Sequence, residues 1–243
     1  MTAAAAGPAV RRLILLRHGQ TEYNAGNRMQ GQLDTDLSDL GRAQAKSAAQ
    51  ALAEKQPFAI VSSDLRRAHD TALALGDHVG LSVETDSRLR ETHLGDWQGL
   101  THTDVDEISP GARARWRTDA EWAPPAGESR IDVAARSLPV VQELLARHEN
   151  WGVGADAPVR LSGSSDYRNG AQGAERPLVL VAHGGLIAAL TARLLDLPAD
   201  RWPVLGGLGN TSWVQLSGHG EGTEPVWRLD VWNASANVAG DVL

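Results

Sequence analysis

Three short runs of consecutive aliphatic residues, each stopping at polar or cationic residues, constrain this chain more than any other feature. Ile14-Leu15-Leu16 stops at Arg17-His18-Gly19, and Ala59-Ile60-Val61 stops at Ser62-Ser63-Asp64, followed by Leu65-Arg66-Arg67. Leu178-Val179-Leu180-Val181 passes through Ala182 into His183-Gly184-Gly185. An apolar run that does not alternate with polar residues is the pattern of a strand covered on both faces. Further strands are predicted at 81–85, 212–216 and 226–231. Helical patterns at 38–54, 65–79, 131–147 and 185–195 fall between or beside the strands. Strands alternating with helices predict an α/β fold, a three-layer sandwich with a mainly parallel central sheet and helices on both faces.

The chain has 243 residues, a length that one α/β domain fills, and it is read as a single domain over 1–243. Two stretches break the rhythm. Residues 96–128, with Trp97, Trp116 and Trp122, the arginines of GARARWR and the prolines of WAPPAGE, read as a cap-like excursion over the sheet. Residues 152–175, rich in Gly, Ala and Ser, read as a flexible surface loop. A net charge of -7 argues against nucleic acid or an anionic membrane as the main partner. An anionic ligand must therefore be drawn by a local cluster. That cluster would be built from arginine, because the only lysines are Lys46 and Lys55. The chain has no cysteine, so thiolate chemistry and disulfides are excluded. The opening MTAAAAGPAV lacks a basic segment, Arg11 and Arg12 follow it, and no apolar run approaches the roughly 20 residues of a membrane span. The expected location is the cytoplasm.

In open α/β sheets, ligands bind beyond the carboxyl ends of the strands. If the three aliphatic runs are neighbouring strands, two histidines and at least two arginines meet at one sheet edge. Helix N-termini there add backbone N–H groups suited to a phosphate. Each piece alone has a plainer reading. A lone histidine at a strand end is more often structural, and Arg66-Arg67 alone is a solvated helix face. HGG after a strand is similar to the oxyanion loop of lipase-type hydrolases, but the G-x-S-x-G elbow is missing. Asp34, Asp36 and Asp39 resemble the start of a calcium loop without its glycine and terminal glutamate, and read as capping and surface acids. Repetition of the pattern at successive strand ends favours an anion site containing a nucleophile.

The motif RHGQTEYN, starting at Arg17, resembles the signature of the histidine phosphatase superfamily, which includes cofactor-dependent phosphoglycerate mutases. The likeness continues in order through DTDLSDLGRAQA, SSDLRRAHDTA, RLRETHLGDWQG and VAHGG. The resemblance implies a phosphoglycerate mutase-like fold. It also implies that His18 accepts a phosphoryl group, that Arg17, Arg67 and His183 hold the phosphate oxygens, and that Glu91 donates a proton. Arg67 matches rather than Arg66, because the family arginine immediately precedes alanine and Ala68 follows Arg67. Asn24 matches a further phosphate contact, and Gln30, Gly31 and Gly184 are placed at the substrate. The chemistry suits these residue types. A dianionic phosphoryl group needs cations on its oxygens, an imidazole with one free lone pair can attack phosphorus in line, and a basic leaving alkoxide needs an acid. Neither a metal nor a cofactor is expected. His69, His78, His93, His102, His148 and His219 read as surface or supporting residues, with His93 the one whose place two residues past Glu91 could bring it over the pocket.

RMQGQLDTDLSDLGRAQA, RETHLGDWQGLTH and RLDVWNASANV are similar to the branch of that superfamily that hydrolyses glucosyl-3-phosphoglycerate. The resemblance implies a phosphomonoester hydrolase acting on a small phosphorylated molecule that carries a phosphate, a carboxylate and a sugar. Arg113, Arg115, Arg117 or Arg130 could meet the carboxylate, and Trp97 or Trp116 could stack on the sugar. The family mutases share a basic segment where this chain reads PPAGESRID, and the tail SANVAGDVL carries no Lys or Arg, which favours hydrolysis over mutase activity. The alternatives are a mutase, a broad-specificity acid-type phosphatase, or a domain that binds a phosphorylated ligand without turnover. The resemblance and the tryptophans near 202–232 also imply a homodimer.

Overall fold

The structure is a computed structural model that describes residues 9–152, 176–220 and 222–236. Its elements run β1 (Val10–Arg17), α1 (Glu22–Ala25), α2 (Asp39–Ala53), β2 (Ala59–Ser62), α3 (Arg66–Val79) and β3 (Val83–Thr85). There follow α4 (His102–Ile108), α5 (Ala112–Thr118), α6 (Arg130–Arg147), β4 (Leu178–Ala182), α7 (Gly184–Leu194), β5 (Trp213–His219) and β6 (Val226–Ala234). The six strands form one sheet in the order β3-β2-β4-β1-β5-β6. β4 lies parallel to both β1 and β2, and β2 parallel to β3, whereas β5 runs antiparallel to both of its neighbours. The sheet is therefore mixed but mainly parallel. Because β2, β4 and β1 are adjacent and share a direction, the three aliphatic runs end side by side.

Alternation along these strands builds two cores from one sheet. Leu13, Leu15, Leu178 and Leu180 face one layer, where Val133, Val140, Val141, Leu144 and Leu145 of α6 meet Leu186, Ile187 and Leu190 of α7. Ile14, Leu16, Val179, Val181 and Ile60 face the other, against Ala48, Ala49 and Leu52 of α2 and Ala68, Ala72 and Leu75 of α3. Every side chain of β4 is buried, as an uninterrupted LVLVA requires.

The helix ends are set by particular side chains. Ser38 Oγ accepts from Gly41 N at 3.0 Å to start α2, and Ser129 with Asp132 forms a reciprocal capping box on α6. No local side chain caps α3; instead Asp34 Oδ1, from the loop before α2, accepts from Arg66 N at 2.8 Å. Gly80 closes α3 in the left-handed conformation, φ 71°, and Leu81 N bonds back to Gly76 O at 3.0 Å. For that reason the third strand begins at Val83 rather than at Leu81.

The excursion at 96–128 has order of its own, with α4 and α5 covering a third apolar cluster of Met29, Leu94, Trp97 and Val105. Seven-residue helices such as these are too short to leave a periodic signal. Residues 153–175 of the expected flexible loop lie outside the described residues. Among the described residues, no helix is long and apolar enough to cross a membrane.

Candidate active site

His18 follows the last residue of β1 and is 3% exposed. Its backbone is pinned from both sides: His18 N donates to Ala182 O at 3.0 Å, and His18 O accepts from Thr211 N and from Asn210 Nδ2, each at 3.2 Å. Its Nδ1 lies 2.6 Å from Gly19 O. A carbonyl can only accept, so Nδ1 carries the hydrogen and Nε2 keeps its lone pair. Burial first, then the charges of Arg67 and Arg17, hold the imidazole well below its ordinary pKa. The ring is neutral at pH 7.

Two guanidinium groups flank it. Arg17, the last residue of β1, donates to Leu208 O, and its pKa is lowered by burial, partly offset by Glu91. Arg67, in the first turn of α3, is fully buried; its two terminal nitrogens donate to Gly31 O and Leu33 O, each at 2.8 Å. Burial lowers the Arg67 pKa to about 10, which leaves it charged. Its neighbour Arg66 points outward into ion pairs with Asp34 and Asp36, so these two acids are surface and capping residues. Asp39 likewise pairs with Arg42.

His183 caps the start of α7 without a side-chain cap bond and packs behind His18, ring centroids 5.1 Å apart and planes tilted by 57°. Its Nε2 lies 2.9 Å from Ser63 Oγ, and its pKa is driven well down by burial and then by Arg67. Arg17 Nε, Arg67 Nε and His183 Nδ1 are buried and have no hydrogen-bond partner among the described residues. Three unmet nitrogens around one neutral imidazole are an unusual concentration, since buried polar atoms are normally satisfied.

Glu91 follows a short 3-10 turn, and its carbonyl is held by Arg136 (2.9 Å) and Gln32 Nε2 (3.1 Å). Its carboxylate rests on the N-terminus of α7, accepting from Leu186 N at 3.0 Å and Gly185 N at 3.0 Å, and from its neighbour Thr92 N at 2.8 Å. Asn24 Oδ1 accepts from Thr21 N at 3.2 Å, and Gln30 Oε1 accepts from Thr35 Oγ1 at 2.7 Å, so each amide has its N–H group left for the cleft. Gly31 holds φ 55° and gives its carbonyl to Arg67.

Most of these groups line one cleft that opens to solvent. Arg17, His18, Asn24, Gln30, Gly31, Arg67 and Glu91 all border it. His183 and Gly184 do not; His183 backs the His18 ring, and Gly185 rather than Gly184 reaches the cleft. Sequence reading missed Arg28, Met29, Thr92, Leu94 and His102 on its walls, and Asn210 behind His18. His102 lines the cleft where His93 does not; His93 Nδ1 instead accepts from Gly95 N at 3.2 Å. Trp97 cannot meet a ligand, being 1% exposed and packed against Trp116 and Trp122, whereas Trp116 borders the cleft. Arg113 is engaged by Asp106 at 2.6 Å, and Arg115 faces Asp119 at 3.4 Å.

The sequence model of the histidine phosphatase superfamily (branch 1) matches residues 13–155 and 165–235. The chain belongs to that superfamily. It is 64% identical over 241 residues to a glucosyl-3-phosphoglycerate phosphatase of Mycolicibacterium vanbaalenii, covering 96% of this chain and 99% of that one. Two solved structures of a mycobacterial glucosyl-3-phosphoglycerate phosphatase are similar. One, a complex with VO3, is 62% identical with TM-score 0.83 over 93% of this chain and 100% of that one. The other, a complex with inorganic phosphate, is 61% identical with TM-score 0.81 over 94% of this chain and 100% of that one. The superfamily membership agrees with the phosphoglycerate mutase-like sandwich described above.

Proposed function

We propose that this histidine phosphatase hydrolyses glucosyl-3-phosphoglycerate to glucosylglycerate and phosphate through a phosphohistidine at His18. The observation that carries the reading is the neutral His18 ring, with Nδ1 tied to Gly19 and Nε2 unprotonated, surrounded by the unmet nitrogens of Arg17, Arg67 and His183. In this reading the phosphoryl oxygens satisfy those nitrogens, with Asn24 and Gln30 amides as further donors and Gly31 and Gly185 as backbone walls. The His18 Nε2 lone pair attacks phosphorus, the ester P–O bond breaks, and Glu91 gives a proton to the departing glycerate oxygen. A water then attacks the phosphohistidine, Glu91 takes its proton, the P–N bond breaks, and phosphate leaves with the imidazole regenerated. The cations act on charge that is already present, so positioning supplies most of the acceleration.

The substrate is supported by the names of the relatives and by the outer half of the cleft. Arg28 borders the cleft, bonds Gly99 O at 3.0 Å and feels Asp104 only at a distance, with no close ion pair among the described residues, so it suits the glycerate carboxylate better than Arg113 or Arg115. Trp116 and His102 offer an amphipathic wall for the glucosyl group. Phosphate release is compared for glucosyl-3-phosphoglycerate, 3-phosphoglycerate and p-nitrophenyl phosphate, with chelator present and His18→Ala as control. The expected result is a strong preference for the glycosylated ester, unaffected by chelator and abolished by the substitution. Equal turnover of all three contradicts the substrate, and isomerisation of 3-phosphoglycerate contradicts hydrolysis.

The same reading places the enzyme in the cytoplasm as a homodimer joined near 202–232. Within that stretch Val204 is 68% exposed, and on the edge strand β6 Val226 is 76% exposed while Trp227 and Trp232 are half-buried. Light scattering at micromolar concentration is expected to give twice the chain mass; a monomer rejects the pairing.

A further inference from the structure

The two oxygens of Glu91 are not equivalent. Oε1 accepts from three donors, Thr92 N at 2.8 Å, Leu186 N at 3.0 Å and Thr92 Oγ1 at 3.3 Å. Oε2 accepts from one, Gly185 N at 3.0 Å. A proton carried on Oε1 would have to displace a donor already in place, whereas Oε2 has an unengaged lone pair. This seat exists because residue 185 has no side chain. A β-carbon at Gly185 would lie 2.6 Å from Glu91 Oε1 and 2.9 Å from Thr92 Oγ1, closer than real contacts allow. The atoms in the way belong to the ends of movable side chains, so the carboxylate would shift while the helix stays.

We propose that Gly185 and Thr92 are positioning residues that clamp Glu91 by Oε1, so that Oε2 is the oxygen that transfers the proton. The inference rests on the role given above to Glu91. In the first step the Oε2–H bond breaks as the ester oxygen leaves phosphorus and takes that proton. In the second, Oε2 takes a proton from the attacking water. Gly185 contributes its N–H to Oε2 and its missing β-carbon to Oε1; Thr92 contributes two donors to Oε1.

Gly185→Ala is a clean probe because its position is helical, with no left-handed backbone, and alanine is the better helix former there. The test uses leaving groups of different basicity. An alkyl phosphate needs a proton on its leaving oxygen, whereas p-nitrophenolate departs without one. With Gly185→Ala, turnover of the alkyl esters glucosyl-3-phosphoglycerate and 3-phosphoglycerate is expected to fall about 100-fold, the lower end of a general acid's contribution, with KM nearly unchanged. Single-turnover release of p-nitrophenol, enzyme in excess, is expected to fall less than about threefold, since that step needs no acid. Thr92→Val is expected to show the same selective defect in milder form, and Thr92→Ser to recover most of it, which keeps the proposal testable should Gly185→Ala fold poorly. Equal losses on both classes of ester, or a change confined to KM, overturn the proposal. Glu91→Gln is run beside them: if it too lacks the leaving-group dependence, the role of Glu91 is wrong; if it alone shows the dependence, the clamp is wrong.

Discussion

At the scale of single residues, the His18 ring is kept neutral by two effects that act together. Burial disfavours a charged imidazole, and the adjacent guanidinium groups of Arg67 and Arg17 oppose a further positive charge. His183 is depressed for the same reasons. Both histidines take up protons near pH 6.5 in the unfolded chain and only at much lower pH in the native one. The unfolded state therefore binds more protons, and stability falls as pH drops below about 6.5. The slope approaches about 1.4 kcal/mol per pH unit for each histidine until its folded value is reached. Urea unfolding midpoints measured between pH 7.5 and 5.5 are expected to decline steeply, and His18→Asn to flatten the profile by about half. A level profile in the unmodified protein contradicts the buried neutral pair. The proposed attack by His18 should, in contrast, persist through this range, because protonating His18 in the folded state requires a pH well below 6.5.

At the scale of elements, the site depends on how closely the loop after β1 approaches the first turn of α2. A β-carbon at Gly41 would collide with Gln20 O, and one at Gly19 would collide with Gly41 O. Two backbones in contact cannot move apart without shifting His18, whose Nδ1 bond goes to Gly19 O. Gly41→Ala is expected to destabilise the protein by about 1–3 kcal/mol, as overpacking does, and to lower activity by more than the loss of folded protein explains. The measurements are denaturant midpoint and specific activity side by side; unchanged values for both reject the contact. Boundaries were legible in the sequence wherever burial was total. The ends of β2 and β4 coincide with the expected bounds 59–62 and 178–182, where every side chain but the half-buried Ala59 is buried. They were not legible where a turn residue outweighed an apolar pattern, as when Gly80 extended the close of α3 through Leu81. The cap on α3 was hidden as well, since Asp34 lies 32 residues before the N–H it satisfies.

At the scale of the whole molecule, parallel strands bring Arg17, His18, Arg67 and His183 to one edge, and a loop brings Glu91 to the same helix end. That convergence was legible because strand ends in a parallel sheet share an edge and because the motifs carry a family likeness. The outer cleft was not. His102 and Trp116 come from the excursion and Arg28 from the loop after α1, and only the packing around Trp97 decides which of their neighbours face inward. Asn210 carries no pattern at all; its value lies in a bond to His18 O across 192 residues. The central claim is that His18 carries the phosphoryl group during turnover. The most direct measurement is to mix the enzyme with phosphate-labelled substrate, quench in alkali within a turnover, and locate the label by peptide mass spectrometry. The account predicts an acid-labile, alkali-stable phosphate on the peptide containing His18, absent in His18→Ala and longer-lived in Glu91→Gln. Hydrolysis at full rate with no label on His18, or label on another residue, would contradict it.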